Sequence, residues 1–148
     1  MVELCSRCFK SLCSHKAEKF DCDDMMVYPI QKLNGLGYKT LYSCSGHLDR
    51  GVIHGHDGKP VGKVKDSDAT VLQTYIMFAK MYHFDVMPCG FGFKFNVYNN
   101  SWSMESVDYC LEGNYEHRHL HILESLGHLT NWLAELKKWD GKVYEVSE

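Results

Sequence analysis

"GFGFKFNVYNNSWSMESVDYCLE", residues 90–112, decides the fold. Phe91, Phe93, Phe95 and Val97 alternate with small or polar neighbours, a period of two that puts the apolar side chains on one face of an extended strand. The segment from Ser101 onward reads as a second strand, and Asn99, Asn100 and Ser101 between them are turn chemistry. Together they predict an antiparallel hairpin. "ATVLQTYIMFAK", residues 69–80, is rich in β-branched and aromatic residues and predicts a further strand. Tyr38 to Ser43, inside "GYKTLYSCSGH" at 37–47, predicts another.

Helices flank this sheet. Met26, Ile30 and Leu33 fall at i, i+4 and i+7, "FDCDDMM" supplies Asp21 or Asp23 as a cap, and "NGLG" at 34–37 ends the segment, with Pro29 as a kink or as the true start. From His117 to Trp139 a longer helix is predicted, with Ile122, Leu126, Leu129, Leu133 and Leu136 on its apolar face and Lys137 and Lys138 in its last turn. His117, His121, Glu124 and His128 form a stripe opposite the leucines, read here as a solvated polar surface. Residues 48–68, with four glycines and a proline, predict a long irregular connection. The fold class is therefore α+β, a mostly antiparallel sheet with helices packed on one face.

At 148 residues the chain has room for one domain with a real core. Sixteen basic against 19 acidic side chains leave a formal charge of −3, which argues against a duplex-DNA-binding surface. The sequence holds no apolar run of membrane-spanning length, and "MVELCSRCFK" lacks a signal-peptide core, so a cytoplasmic protein is expected. Nothing in the pattern bars a homo-oligomer.

Seven cysteines in a reducing compartment point to metal ligation plus free thiols, not to disulfides. Cys5, Cys8, Cys13, His15 and Cys22 follow C-x2-C-x4-C-x-H-x6-C, and thiolate with imidazole suits tetrahedral zinc. Five candidates compete for four places. The preferred set is Cys5, Cys8, Cys13 and His15, with Cys22 replacing His15 as the alternative. Residues 1–22 are thus expected to be a zinc-stapled N-terminal tail beside an α+β domain over 23–148, the closed shell making the metal structural.

The strand end Ser43, Cys44, Ser45, Gly46 and His47 combines hydroxyls, a thiol, an imidazole and a glycine. A strand ending in such a turn leaves backbone N–H groups free to meet an anion or a polar ring edge. These five residues, with His54 and His56 from the following connection, are the candidate ligand-binding set. Cys44 activated by His47 would be the catalytic alternative, but the two stand only three apart and no acidic group orients the imidazole at a recognisable spacing. No catalytic residue is assigned.

"LNGLGYKTLYSCSGH", the later "TYIMF" and the final "LTNWLAEL" resemble small proteins of phages and low-GC Gram-positive bacteria, several carrying an N-terminal cysteine cluster. "SCSGH" is also similar to the "SCSGR" signature of the tRNA wybutosine-synthesis methyltransferase family. That second resemblance implies a site for S-adenosylmethionine at Ser43, Cys44, Ser45 and Gly46, with His47 in place of the family's arginine. The function expected is non-catalytic binding of a small nucleotide-like ligand at the 43–47 turn, and the phage resemblance implies sequestration of a host immune signal in the host cytoplasm. The alternatives are an S-adenosylmethionine-dependent enzyme and a zinc-dependent module that inhibits a partner protein.

Overall fold

The computed structural model describes residues 1–49, 52–54, 56–63, 70–72, 74–96, 101–106 and 115–143. Its centre is a four-stranded antiparallel sheet, in the order β3 (Thr40–Cys44), β8 (Tyr75–Phe78), β10 (Ser101–Ser106), β9 (Phe91–Asn96). Two helices, α1 (Val27–Gly35) and α2 (Tyr115–Glu135), cover one face. An N-terminal hairpin of β1 (Val2–Cys5) and β2 (Lys19–Cys22) is joined to α1 by a 3-10 turn at Asp24–Met26. Two small ribbons complete the described fold, β4 (His47–Asp49) with β7 (Thr70–Leu72) and β5 (Val52–His54) with β6 (Pro60–Lys63). The architecture is α+β, as the alternating and helical periodicities imply. No described helix is long and apolar enough to cross a membrane.

Register explains why the sheet has one apolar face. Met104 stands opposite both Ile76 and Phe93, Trp102 opposite Phe78 and Phe95, and Ser106 opposite Phe91, so the alternating side chains of three strands fall on one side. Against them pack Ile30 and Leu33 of α1 and Ile122, Leu126, Leu129 and Leu133 of α2. Tyr38, Phe78, Tyr82 and Phe84 add an aromatic knot with ring centroids 5.0–5.8 Å apart.

The predicted boundaries shift for identifiable reasons. Residues 69–80 split into β7 and β8, two strands of different sheets, because the Thr74 hydroxyl between them donates to the Ser45 carbonyl at 2.8 Å. The 48–68 connection carries three short strands where irregular chain was expected. α2 ends at Glu135, four residues early, leaving Lys137 and Lys138 past its last turn. There the chain turns back: the Trp139 amide donates to the Leu36 carbonyl and the Tyr38 hydroxyl to the Lys137 carbonyl. Asn99, Asn100 and residues 107–112 lie outside the described residues.

At α1, Pro29 sits in the first turn, where its missing N–H costs no helical bond. The helix ends in a Schellman arrangement, Tyr38 N–H to Leu33 C=O and Gly37 N–H to Asn34 C=O. Gly37 takes φ +98° to close it. The Asn34 amide then bridges to the Thr40 hydroxyl at 2.8 Å, fixing where β3 leaves the helix.

The hairpin over residues 1–22 is more than a tail. Leu4 and Cys22 belong to the same core as Met26, Ile30 and Leu33, and Leu4 is fully buried. Phe9 packs edge-on against Phe20, and Gln31 of α1 donates to the Phe9 carbonyl at 2.7 Å.

Leu129→Ala is therefore expected to cost about 2–5 kcal/mol in denaturant unfolding, the range for emptying a fully buried leucine site. Leu4→Ala should fall in the same range and lower the midpoint of the whole domain. A local loss at residues 1–22 with an unchanged global transition would mean that the hairpin does not share the core.

Candidate metal centre and the strand-end turn

The residues that could ligate a metal are gathered by a tight reversal after β1. The Phe9 amide donates to the Cys5 carbonyl at 2.8 Å, and the Cys5 amide to the Lys10 carbonyl at 3.0 Å. Phe9 takes φ +61°, the one non-glycine residue described with positive φ, and this redirects the chain that follows, toward Cys13 and His15. Cys13 and His15 arrive from the return segment. The four ligand atoms of Cys5, Cys8, Cys13 and His15 lie within 4.8 Å of one another, with Cys5 Sγ 3.9 Å from His15 Nδ1. Around a tetrahedral ion with bonds of about 2.0–2.3 Å such atoms stand about 3.3–3.8 Å apart, so a metal need draw the group in only slightly.

Electrostatics favour a cation here. Backbone N–H groups of Cys8 and Arg7 hold the Cys5 thiol down to about 6, the Arg7 amide pointing at Sγ from 3.4 Å. Cys13 receives a lowering hydrogen bond from the His15 backbone, but desolvation and the adjacent Cys5 and Cys8 outweigh it and push the thiol up. A second thiolate is resisted until a cation arrives to neutralise the first.

Cys22, the alternative ligand, stands apart. It is buried in the apolar core, its thiol is pushed up to about 11 by burial and then by Asp23 and Asp24, and it donates to the Asp23 carbonyl at 3.5 Å. A thiol held protonated among leucines and methionines is a packing group.

The strand-end turn is built differently from the open concavity expected of it. The Ser45 amide and hydroxyl both donate to Asp23 Oδ2, at 3.0 and 3.1 Å. The Gly46 amide points at Cys44 Sγ from 3.4 Å, and Gly46 takes φ +87°. These N–H groups thus already have partners inside the protein, and the nearest charge is negative. Cys44 is half-buried, and burial and Asp23 raise its thiol despite the lowering contact from Gly46. Ser43 faces the helices, opposite Ile76. The rings of His47 and His54 lie outside the described residues, and His56 is exposed in the turn between β5 and β6.

On the sheet face away from the helices, Tyr42 stands opposite Met77 and Cys44 opposite Tyr75, because a bulge at Leu41 resets the register. Tyr42 is 65% exposed. The Tyr75 hydroxyl is raised by burial first and then by Cys44, Asp23 and Glu105, so two carboxylates add to the effect of burial at this corner. Asp23 and Tyr75 stand at this corner, with Tyr42 on the same sheet face as Tyr75, positions the sequence reading did not give them. Asp23 resembled a helix cap, and it does stand at the N-cap of the 3-10 turn, but its carboxylate makes no capping bond and reaches Ser45 instead.

The histidine stripe is less solvated than its position opposite the leucines implied. His121 and His128 are half-buried and, with Glu124, Ser125, Cys89 and Gly90, line a hollow of about 60 Å³. Among the described residues the N-terminal quartet alone brings three or more ligand atoms together. His117 lies outside the described side chains.

No family model, no curated protein and no solved structure matches the chain.

The purified protein is expected to carry about one metal ion per chain by elemental analysis. His15→Ala should weaken metal retention at least tenfold against a chelator competitor. Cys22→Ala should keep full metal content and cost only about 1 kcal/mol of stability, a typical value for a single substitution. Loss of metal from Cys22→Ala with retention in His15→Ala would reverse the ligand assignment.

Proposed function

We propose that the protein is a zinc-stapled, non-catalytic binding protein that takes a small nucleoside- or nucleotide-like ligand at the 43–47 turn. The Cys3His donor set suits tetrahedral zinc, and four protein ligands leave the ion no open position for chemistry. Zinc would therefore supply folding free energy, holding Leu4 and Cys22 in the core.

The observation that carries the ligand reading is the Asp23 carboxylate set into the turn at 3.0 Å from the Ser45 amide. A carboxylate fixed by backbone and hydroxyl donors is suited to accept from paired sugar hydroxyls, the role an acidic residue plays on ribose in dinucleotide sites. At the carboxylate itself a phosphate would meet like charge, so any phosphate of the ligand points away from Asp23. Tyr42, exposed on the same sheet face as Cys44, offers a ring for a base to stack on. Non-catalytic binding is supported by the Cys44 thiol, which burial and Asp23 keep protonated and hence poorly nucleophilic. The phage-type resemblance favours a ligand of signalling origin, held away from a host receptor.

Adenosine and S-adenosylmethionine serve as probes in calorimetry. Tyr42→Ala, at an exposed position that the fold does not need, should weaken binding by about 1–3 kcal/mol, the value of one base–aromatic stack. Asp23→Asn should weaken it at least tenfold, and Cys44→Ala should leave it unchanged. Methyl transfer from S-adenosylmethionine would replace the binding reading with an enzymatic one. Absence of binding by either probe and by nucleotides extracted from cells would remove the ligand site.

A further inference from the structure

A second cavity lies away from the turn. Tyr38 stands just before β3 and Cys44 ends it, so the two sites are separated by about 20 Å of strand at about 3.3 Å per residue. This cleft, of about 370 Å³, opens where the C-terminal end of α2 meets the segment 83–86 and the chain after the helix. Its volume falls within the range of small-molecule sites. Nothing in the metal centre or the turn uses it.

Its walls are rigid rings. Phe84 lies 5.0 Å from Tyr38 and 5.1 Å from Trp132, centroid to centroid. The polar tips of the other two rings are already committed, since the Trp132 indole donates to the Val86 carbonyl at 2.6 Å and the Tyr38 hydroxyl to the Lys137 carbonyl at 2.9 Å. What the cleft offers a ligand is therefore ring carbon, with Leu136 beside it.

The formal charges around those rings are mixed, and the end of α2 adds a negative pole to the carboxylates. Asp85, Glu135 and Asp140 line the cleft. The last turn of a 21-residue helix ends there, and its terminal carbonyls carry the negative pole of the helix. The Tyr38 hydroxyl is raised by burial first and then by Asp140 and Asp85, which reports the sign of the field at the floor. The opposing groups are His83, 3.6 Å from Asp85, Lys142, 3.9 Å from Asp140, and Lys137 and Lys138. Lys137 and Lys138 are exposed on long stems that can swing into water, whereas Tyr38 and Phe84 are buried in the core and Trp132 packs against it.

We propose that this cleft binds an organic cation, a primary ammonium or guanidinium on a small aromatic or aliphatic body, with the body against Phe84, Trp132 and Leu136 and the charge toward Asp85, Glu135, Asp140 and the helix end. Rings attract a cation held over their faces, and carboxylates at the rim orient it.

Three isosteric probes separate charge from shape: benzylamine, benzyl alcohol and benzoate, titrated against the metal-loaded full chain while the Trp132 indole N–H is followed by NMR. Benzylamine is expected to bind at least tenfold more tightly than the alcohol, and benzoate not to bind. Glu135→Gln with Asp140→Asn should lower amine affinity at least fivefold and leave the alcohol unchanged. Lys137→Gln with Lys138→Gln should leave amine affinity unchanged or raise it. Asp23→Asn, at the distant turn, should have no effect, so this site can fail or hold independently of the nucleoside site. Benzoate binding as tightly as benzylamine, loss of amine binding on removing the two lysines, or no response of Trp132 to millimolar benzylamine would each overturn the proposal.

Discussion

Three sulfurs and an imidazole held within 4.8 Å of one another form a donor set that a bound cation would stabilise. Much of the molecule hangs on that constraint. The quartet sits in the reversal after β1, and the hairpin that this reversal closes places Leu4 and Cys22 in the core beside α1. Cys22 is followed at once by Asp23, whose carboxylate is the anchor of the strand-end turn. Metal ligation, core packing and the geometry of Ser45 are thus successive links along a single stretch of chain. The candidate metal cluster and the turn are thus linked through the chain, because the hairpin that carries the cluster ends at Cys22, next to the residue on which the turn is fastened.

The elements with strong periodicity were legible in the sequence. Phe91, Phe93 and Phe95 announce β9 because a two-residue period leaves one face to bury, and Ile122, Leu126, Leu129 and Leu133 announce α2 by the same logic at 3.6. The metal quartet was legible because spacing alone constrains which thiols can meet. Cys22 could not be separated from His15 in that way. What separates them is burial, a property of the folded core. The short ribbons of residues 47–63 carry too few residues for a period to emerge, and the break at Thr74 depends on a hydrogen bond to Ser45, 29 residues earlier.

The turn shows the limit most clearly. Ser43 to Gly46 could be recognised as a strand end with reactive side chains, but its free N–H groups were inferred from the local chain alone. Asp23 comes from a different element and takes both Ser45 donors. That one long-range contact changes the chemistry expected of the site from anion binding to acceptance of hydroxyl donors. Burial, and after it the same carboxylate, raise the Cys44 thiol, which argues against thiolate catalysis.

The two ends of β3 are shaped by opposite uses of a tyrosine. At the turn, Tyr42 projects into solvent from the face that the helices leave uncovered, and a bulge at Leu41 is what turns it there. At the start of the strand, Tyr38 is buried, and its hydroxyl ties the chain after α2 to the aromatic knot. Without the bulge, residues 42–44 would shift by one position on the pleat, and Tyr42 and Cys44 would face Ile30 and Leu33 of the core. A single extra residue in β3 therefore keeps a bulky ring out of the packed layer and leaves it exposed on the sheet face that also carries Cys44 and Tyr75.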